Sequence, residues 1–174
     1  MCALVARLWL TGPLMSAFDR VLDRLRGKLG RRWLKTAERQ PNRPQKNCIF
    51  CQRDDEKLNR IMCENDSFFA RHDNYPAAAG HLEIVPKRHV ESFFDLTERE
   101  VVQAYALMRE ARGRLIKEYD RPDGYTIGIN EGRAAGQSIE HLHVHLIPRY
   151  FGDVKDPRGG IRQAAPNCDP DSWL

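Results

Sequence analysis

His141, His143 and His145 stand at every second position of "SIEHLHVHLIPRY", residues 138 to 150, and make up half of the six histidines in the chain. Side chains on an extended strand alternate faces, so this spacing puts the three imidazoles on one side and Leu142, Val144 and Leu146 on the other. The apolar set reads as a core-facing stripe. The imidazole set does not, because three stacked rings add little burial, each needs its own partner, and together they repel when protonated. Two chemistries suit such a face. Alternating imidazoles can converge on one metal ion, or one neutral ring can act as a nucleophile while its neighbours fix its tautomer. The preceding stretch "NEGRAAGQS", residues 130 to 138, is a glycine-containing polar loop. Its backbone N–H groups, the Gln137 amide and the Ser138 hydroxyl are suited to surround an anionic oxygen, most commonly a phosphate. An anion cradle beside a histidine points to phosphorus chemistry.

The elements that must position these groups are legible in outline. Four strand candidates are present: "SFFARHD" from Ser67, "HLEIVP" from His81, "YTIGIN" from Tyr125 and "HLHVHLIP" from His141. Between the second and third lies a long helix. Thr97 with Glu100 forms a capping box, and Val101, Tyr105, Met108, Leu115 and Tyr119 trace one apolar face. "RPDG", residues 121 to 124, supplies the turn that leaves it. Strands and one long helix, without a repeated βαβ unit, predict an α+β domain with a mainly antiparallel sheet.

The formal charge of +4 is unevenly spread. Residues 1 to 40 hold nine Lys or Arg against three Asp or Glu, so the remainder is slightly acidic and offers no groove for nucleic acid. From Ser16 to Lys35 the residues Phe18, Leu22, Leu25, Leu29 and Trp33 recur at helical spacing opposite basic residues, weakened by Gly27 and Gly30. This basic amphipathic helix is expected to dock on protein rather than on a membrane surface. "RQPNRPQKN", residues 39 to 47, reads as a linker. The expected organisation is an extension over 1–46, a domain over 47–164 and a tail over 165–174. No window spans a bilayer, Arg7 interrupts the mildly apolar opening, and five cysteines do not form a disulfide scaffold, so a cytoplasmic protein is expected. Cys48 and Cys51 alone stand at a meaningful spacing, and a lone C-x-x-C is a weak metal signal.

"GQSIEHLHVHLIPR" resembles the signature of the histidine triad (HIT) family, His-φ-His-φ-His-φ-φ with φ apolar, preceded by Gly-Gln-Ser or Gly-Gln-Thr. The resemblance extends through "NEG" at Asn130 to Gly132, "GHLEIVPKRHVESFFDLT" at Gly80 to Thr97, and "CIFC" at Cys48 to Cys51, and "GDVKDPRGGIR" is similar to the tail of a bacterial subgroup. It implies the HIT fold, with about five strands and one long helix, and a homodimer in which two sheets join. It further implies that His143 attacks the α-phosphorus of a nucleotide conjugate and carries a nucleotidyl-histidine intermediate that water resolves. By the same resemblance Ser138, Gln137 and His145 support the phosphate, Asn130 and Gly136 lie near the scissile group, His81 belongs to the pocket, and Asp73 binds the ribose hydroxyls. In the zinc-bearing branch the positions of Cys48, Cys51, His89 and His141 hold a structural ion.

The expected function is hydrolysis or transfer at the α-phosphate of a dinucleoside polyphosphate such as diadenosine tetraphosphate. A nucleoside phosphoramidate hydrolase, a non-catalytic nucleotide sensor and a catalytic metal held by the triad are the alternatives. Glu83 reads as an exposed sheet carboxylate, with orientation of His81 as the other reading. His72 is expected to be an ordinary strand histidine, Cys2, Cys63 and Cys168 small apolar or free thiols, and Arg149, Arg158 and Arg162 solvated charges.

Overall fold

The computed structural model describes residues 43–165. The basic helix expected from Ser16 to Lys35 and the tail beyond 165 lie outside the described residues. Five strands, β1 (Ile61–Glu64), β2 (Phe68–His72), β3 (Leu82–Pro86), β4 (Gly124–Gly128) and β5 (Val144–Arg149), form one sheet in the order β1-β2-β3-β5-β4. Every neighbouring pair is antiparallel. With the helix α1 (Glu98–Glu118) this is the α+β architecture expected from the sequence. The strand missing from the sequence pattern is β1. It has four residues, only Cys63 of which is buried, and its pairing with β2 slips between Ile61 and Cys63. Too short to show alternation, it is placed by its neighbour: Asn65 Oδ1 accepts from the backbone N–H groups of Ser67 and Phe68, and this turn folds β1 back onto β2. Cys63 itself packs in the core, as a small apolar residue.

The sheet has two different faces. Phe68 and Ala70 from β2, Leu82 and Ile84 from β3, and Val144 and Leu146 from β5 pack against α1. Thr97 and Glu100 close a capping box at its start, where Glu100 also receives Arg88 Nε at 2.5 Å. Replacing Thr97 with alanine removes the acceptor for the Glu100 N–H and is expected to cost about 1 kcal/mol, read as a lower urea midpoint at unchanged slope.

The helix turns inward a stripe that shares Leu115 with the one drawn on the sequence but is shifted away from Val101 and Tyr105. Ala104, Leu107, Ala111 and Leu115 are buried, while Val101 and Tyr105 are 39% and 62% exposed. Two alanines let the helix axis approach the sheet closely, and the larger side chains were the misleading signal. Met108 and Tyr119 pack at the edge of the same cluster.

The opposite face of the sheet carries Phe69 and Val85, covered by Cys48 and Phe50. Beside them runs a polar row. Arg71 on β2 pairs with Glu83 on β3, and Glu83 pairs with His145 on β5. By alternation the histidine side of β5 belongs to this second face, away from the helix.

Candidate active site and metal centre

The histidine segment does not begin as a strand. β5 starts at Val144, so His141, in a bend, and His143 precede it. The ladder with β3 stops there because Pro86 has no N–H to continue it. Instead, His141 Nε2 donates to the Pro86 carbonyl at 2.9 Å, and the Leu142 N–H reaches the Val90 carbonyl at 2.7 Å.

Since a carbonyl only accepts, His141 keeps its proton on Nε2 and presents the Nδ1 lone pair. That nitrogen lies 3.3 Å from Cys48 Sγ and 3.7 Å from Cys51 Sγ, and Cys51 Sγ lies 3.3 Å from His89 Nδ1. All four donor atoms are within 4.8 Å of one another. The sulfur-to-nitrogen edge of a tetrahedral site is about 3.5 Å for ordinary zinc bond lengths, so the donor chemistry and spacing fit a closed metal site with no place left for substrate. The turn that brings the two thiols together is fixed by the Cys51 N–H on the Cys48 carbonyl and by Asn59 Nδ2, which donates to the Ile49 and Gln52 carbonyls. Burial pushes the Cys48 thiol up and holds His141 down at about 4, which a bound cation would offset on the sulfur and which favours the neutral ligand form of the ring.

His143 is set by the same device with the opposite outcome. Its Nδ1 lies 2.9 Å from the His141 carbonyl, so Nδ1 carries the hydrogen and Nε2 the lone pair. The ring is 5% exposed, and burial depresses its basicity and keeps it neutral. Phe50, between the two cysteines, packs on both His141 and His143 at ring-centroid distances of 5.5 and 5.3 Å. A third relay fixes His145. The Ala77 N–H donates to His81 Nδ1 at 3.1 Å, so His81 Nε2–H donates to His145 Nδ1 at 3.0 Å, and the remaining His145 proton sits on Nε2. Asp73 Oδ2 stands 3.4 Å from the same His81 nitrogen, longer than the bond from Ala77. Burial, then His143 and His81, holds His145 at about 4.

His143 and His145 line a pocket of about 370 Å³ together with Asp73, Asn130 and Ser138, closed on its apolar side by Ile49 and Ile139. His81 stands behind His145. Two of the residues assigned to this site from the sequence are not brought into it. Gln137 donates its side-chain amide to the Glu91 carbonyl and accepts from the Gly132 N–H, so it braces the loop. The N–H groups of Ala135, Gly136 and Gln137 turn inward to the carbonyls of Gly132 and Arg133. The anion cradle predicted from the whole loop therefore narrows to Ser138 and Asn130. Gly136, at φ +90°, makes the turn, and a Cβ there would sit 3.9 Å from Asn130 Nδ2.

Glu83 overturns its expected exposure. It is 4% exposed, lines the pocket with Arg71, and is ion-paired to the Arg71 guanidinium. Burial pushes its carboxyl up to about 7 against the pull of Arg71. Phe50, Ile49 and Arg71 were not identified from sequence. The signal available for the first two was their position inside the C-x-x-C. Arg149 lies elsewhere, held by Asp153 and Thr126 beside β4.

A family model described as HIT domain matches residues 54–152, more than half of the chain. The AP-4-A phosphorylase of Mycobacterium tuberculosis is 41% identical over 102 residues, covering 58% of this chain and 51% of the relative. The bis(5'-adenosyl)-triphosphatase of Dictyostelium discoideum is 37% identical over 100 residues, covering 58% and 66%. The chain thus spans between half and two thirds of the length of these relatives. The crystal structure of a zinc-bound histidine triad family protein from Mycobacterium smegmatis superimposes with a TM-score of 0.54 at 30% identity, covering 62% of this chain and 78% of the other. The triad, the loop before it and the fold that carries them place this chain in the HIT domain family.

Proposed function

We propose that this chain is a nucleotide hydrolase or transferase that acts at the α-phosphate of dinucleoside polyphosphates through a covalent intermediate on His143. The observation that carries the reading is the tautomer of that ring: with Nδ1–H given to the His141 carbonyl, a neutral Nε2 lone pair is available in a pocket sized for a small ligand. In the first step Nε2 attacks the α-phosphorus and the bond to the bridging oxygen breaks, releasing the polyphosphate with its electron pair. In the second step water, or inorganic phosphate, attacks the same phosphorus, and the P–N electron pair returns to Nε2. Ser138 and the His145 Nε2–H support the equatorial oxygens, where negative charge builds. Asn130 lies near the scissile group and Asp73 takes the ribose hydroxyls. The names of the relatives from M. tuberculosis and D. discoideum support this substrate class.

The two candidate leaving groups differ in their need for a proton. Burial lowers the basicity of His81, His143 and His145 alike, which leaves Glu83, its carboxyl pushed up to about 7, as the pocket group able to protonate a departing amine. A polyphosphate leaves as a stable anion without that proton.

Zinc is the ion we assign to Cys48, Cys51, His89 and His141, supported by the donor set and by the zinc-bound relative. When bound it supplies no reaction chemistry and fixes the knuckle against the histidine segment. We further take residues 47–164 as the folding unit, cytoplasmic and homodimeric. β4 is an edge of the sheet and carries the half-exposed Ile127, a surface on which a second sheet can add. No helix among the described residues is long and apolar enough to cross a membrane.

The test is product analysis with diadenosine tetraphosphate and adenosine phosphoramidate. Diadenosine tetraphosphate with water is expected to give AMP and ATP, and with added phosphate ADP and ATP. Two ADP from water alone would place the attack on another phosphorus, and faster cleavage of the phosphoramidate would reassign the leaving group.

A further inference from the structure

Among the pocket residues, Arg71 and Glu83 have no part in the polyphosphate chemistry just described; in the fold Arg71 holds the Leu58 carbonyl and stands 5.4 Å over the Phe50 ring, whereas Glu83 bonds to Arg71 alone. Both are buried, at 2% and 4% exposure, on the face of the sheet that holds Phe69 and Val85. An ion pair in such a place is costly to desolvate, and apolar residues of similar volume would serve the core equally well or better. Neither partner is saturated. Arg71 spends one terminal nitrogen on Glu83 Oε2 and the other on the Leu58 carbonyl at 2.7 Å, while its Nε is buried without a hydrogen-bond partner. Glu83 Oε1 makes no hydrogen bond among the described residues and is not one of the side-chain atoms sealed from solvent.

Their position gives the pair a ligand. Both line the triad pocket, and a Glu83 oxygen lies within 4.8 Å of a ring nitrogen of His143 and of His145. Neighbouring strands are about 4.8 Å apart, so β3 and β2 put Glu83 and Arg71 roughly 5 and 10 Å from the strand of the nucleophile. That is the span from the α-phosphorus of a nucleotide out over its sugar and base. Ile49 and Ile139 give the same pocket an apolar wall against which a flat ring can lie.

We propose that Glu83, held by Arg71, is a nucleoside-reading subsite: its free oxygen accepts a hydrogen bond from a donor on the bound nucleoside, and so sets which nucleotides this chain prefers. The inference rests on the proposed nucleotide chemistry. A site built to pair a donor rejects the analogue lacking it, because the acceptor is then left buried and unpaired.

The test is equilibrium binding of nucleoside monophosphates to the wild-type chain by calorimetry. AMP is compared with inosine monophosphate, which lacks the base amino donor, and with 2′- and 3′-deoxy AMP, which each lack one sugar donor. One of these analogues is expected to bind about tenfold more weakly or worse than AMP, and because Asp73 takes the ribose hydroxyls, the donor is identified by the loss that depends on Glu83. In Glu83→Gln the amide oxygen must face Arg71, so –NH2 turns to the pocket and the preference for the donor-bearing ligand is expected to vanish or invert. Arg71→Met with Glu83→Leu, which removes both charges together, is expected to bind AMP and that analogue within about twofold of each other. Equal binding of all analogues by the wild type, or the wild-type ratio persisting in Glu83→Gln, overturns the subsite and leaves the enzymatic reading standing. A wild type that binds none of these nucleotides overturns both.

Discussion

His143→Ala is expected to lower kcat/KM for diadenosine tetraphosphate by about 10⁴-fold or more, the loss that follows when a nucleophile is removed and only substrate binding remains. Intact-mass measurement during turnover should show an adenylyl adduct on the wild type and none on the variant. The ring is buried against Phe50 and donates to the His141 carbonyl, so alanine also leaves a small cavity and an orphaned acceptor. His143→Asn serves as the control for that effect, since its amide can replace the Nδ1–H donor but cannot attack phosphorus. Both variants should therefore fail in turnover while the asparagine form keeps nearly the wild-type thermal midpoint. A His143→Ala protein that cleaves the substrate at the wild-type rate would remove the nucleophile from the mechanism, and a folded wild type that binds but never forms the adduct would make the chain a nucleotide sensor.

The second large effect concerns the thiols. Cys48→Ser combined with Cys51→Ser keeps side-chain volume but replaces two sulfur ligands. Elemental analysis is expected to fall from about one zinc per chain to none. A structural zinc site contributes on the order of 10 kcal/mol in small domains, against a total folding free energy of about 5 to 15 kcal/mol, so a drop in thermal midpoint of at least about 10 °C is expected. Zinc retained in the double variant would sink the proposed ligand set of Cys48, Cys51, His89 and His141.

How much of this was legible without coordinates differs by element. The capping box at Thr97 and Glu100 and strands β2, β3 and β4 follow from local pattern, because capping and alternation are properties of a few adjacent residues. What depends on distant neighbours was not legible. The buried stripe of α1 was drawn through Val101 and Tyr105, since size is visible in a sequence and the close approach allowed by Ala104 and Ala111 is not. Glu83 was read as exposed because its partner stands twelve residues away on the adjacent strand. Gln137 looked like a phosphate ligand, but its amide is consumed by Glu91, 46 residues away in the chain. The residue types of the triad left metal binding and attack by a neutral imidazole both open. The allocation of protons among the rings is decided by carbonyls and N–H groups of the folded backbone, at Pro86, His141 and Ala77.

The knuckle around Phe50 has a bearing on how preparations of this protein will behave. Ile49 forms part of the pocket wall and Phe50 packs on His143, the proposed nucleophile, while the cysteines on either side belong to the proposed zinc site. Loss of the ion from some molecules would thus blunt their grip on substrate well before they unfold, and a partly loaded sample would be a mixture of fast and slow catalysts. Its progress curves would bend in two phases whose amplitudes track metal content, and adding zinc during purification would merge them into one.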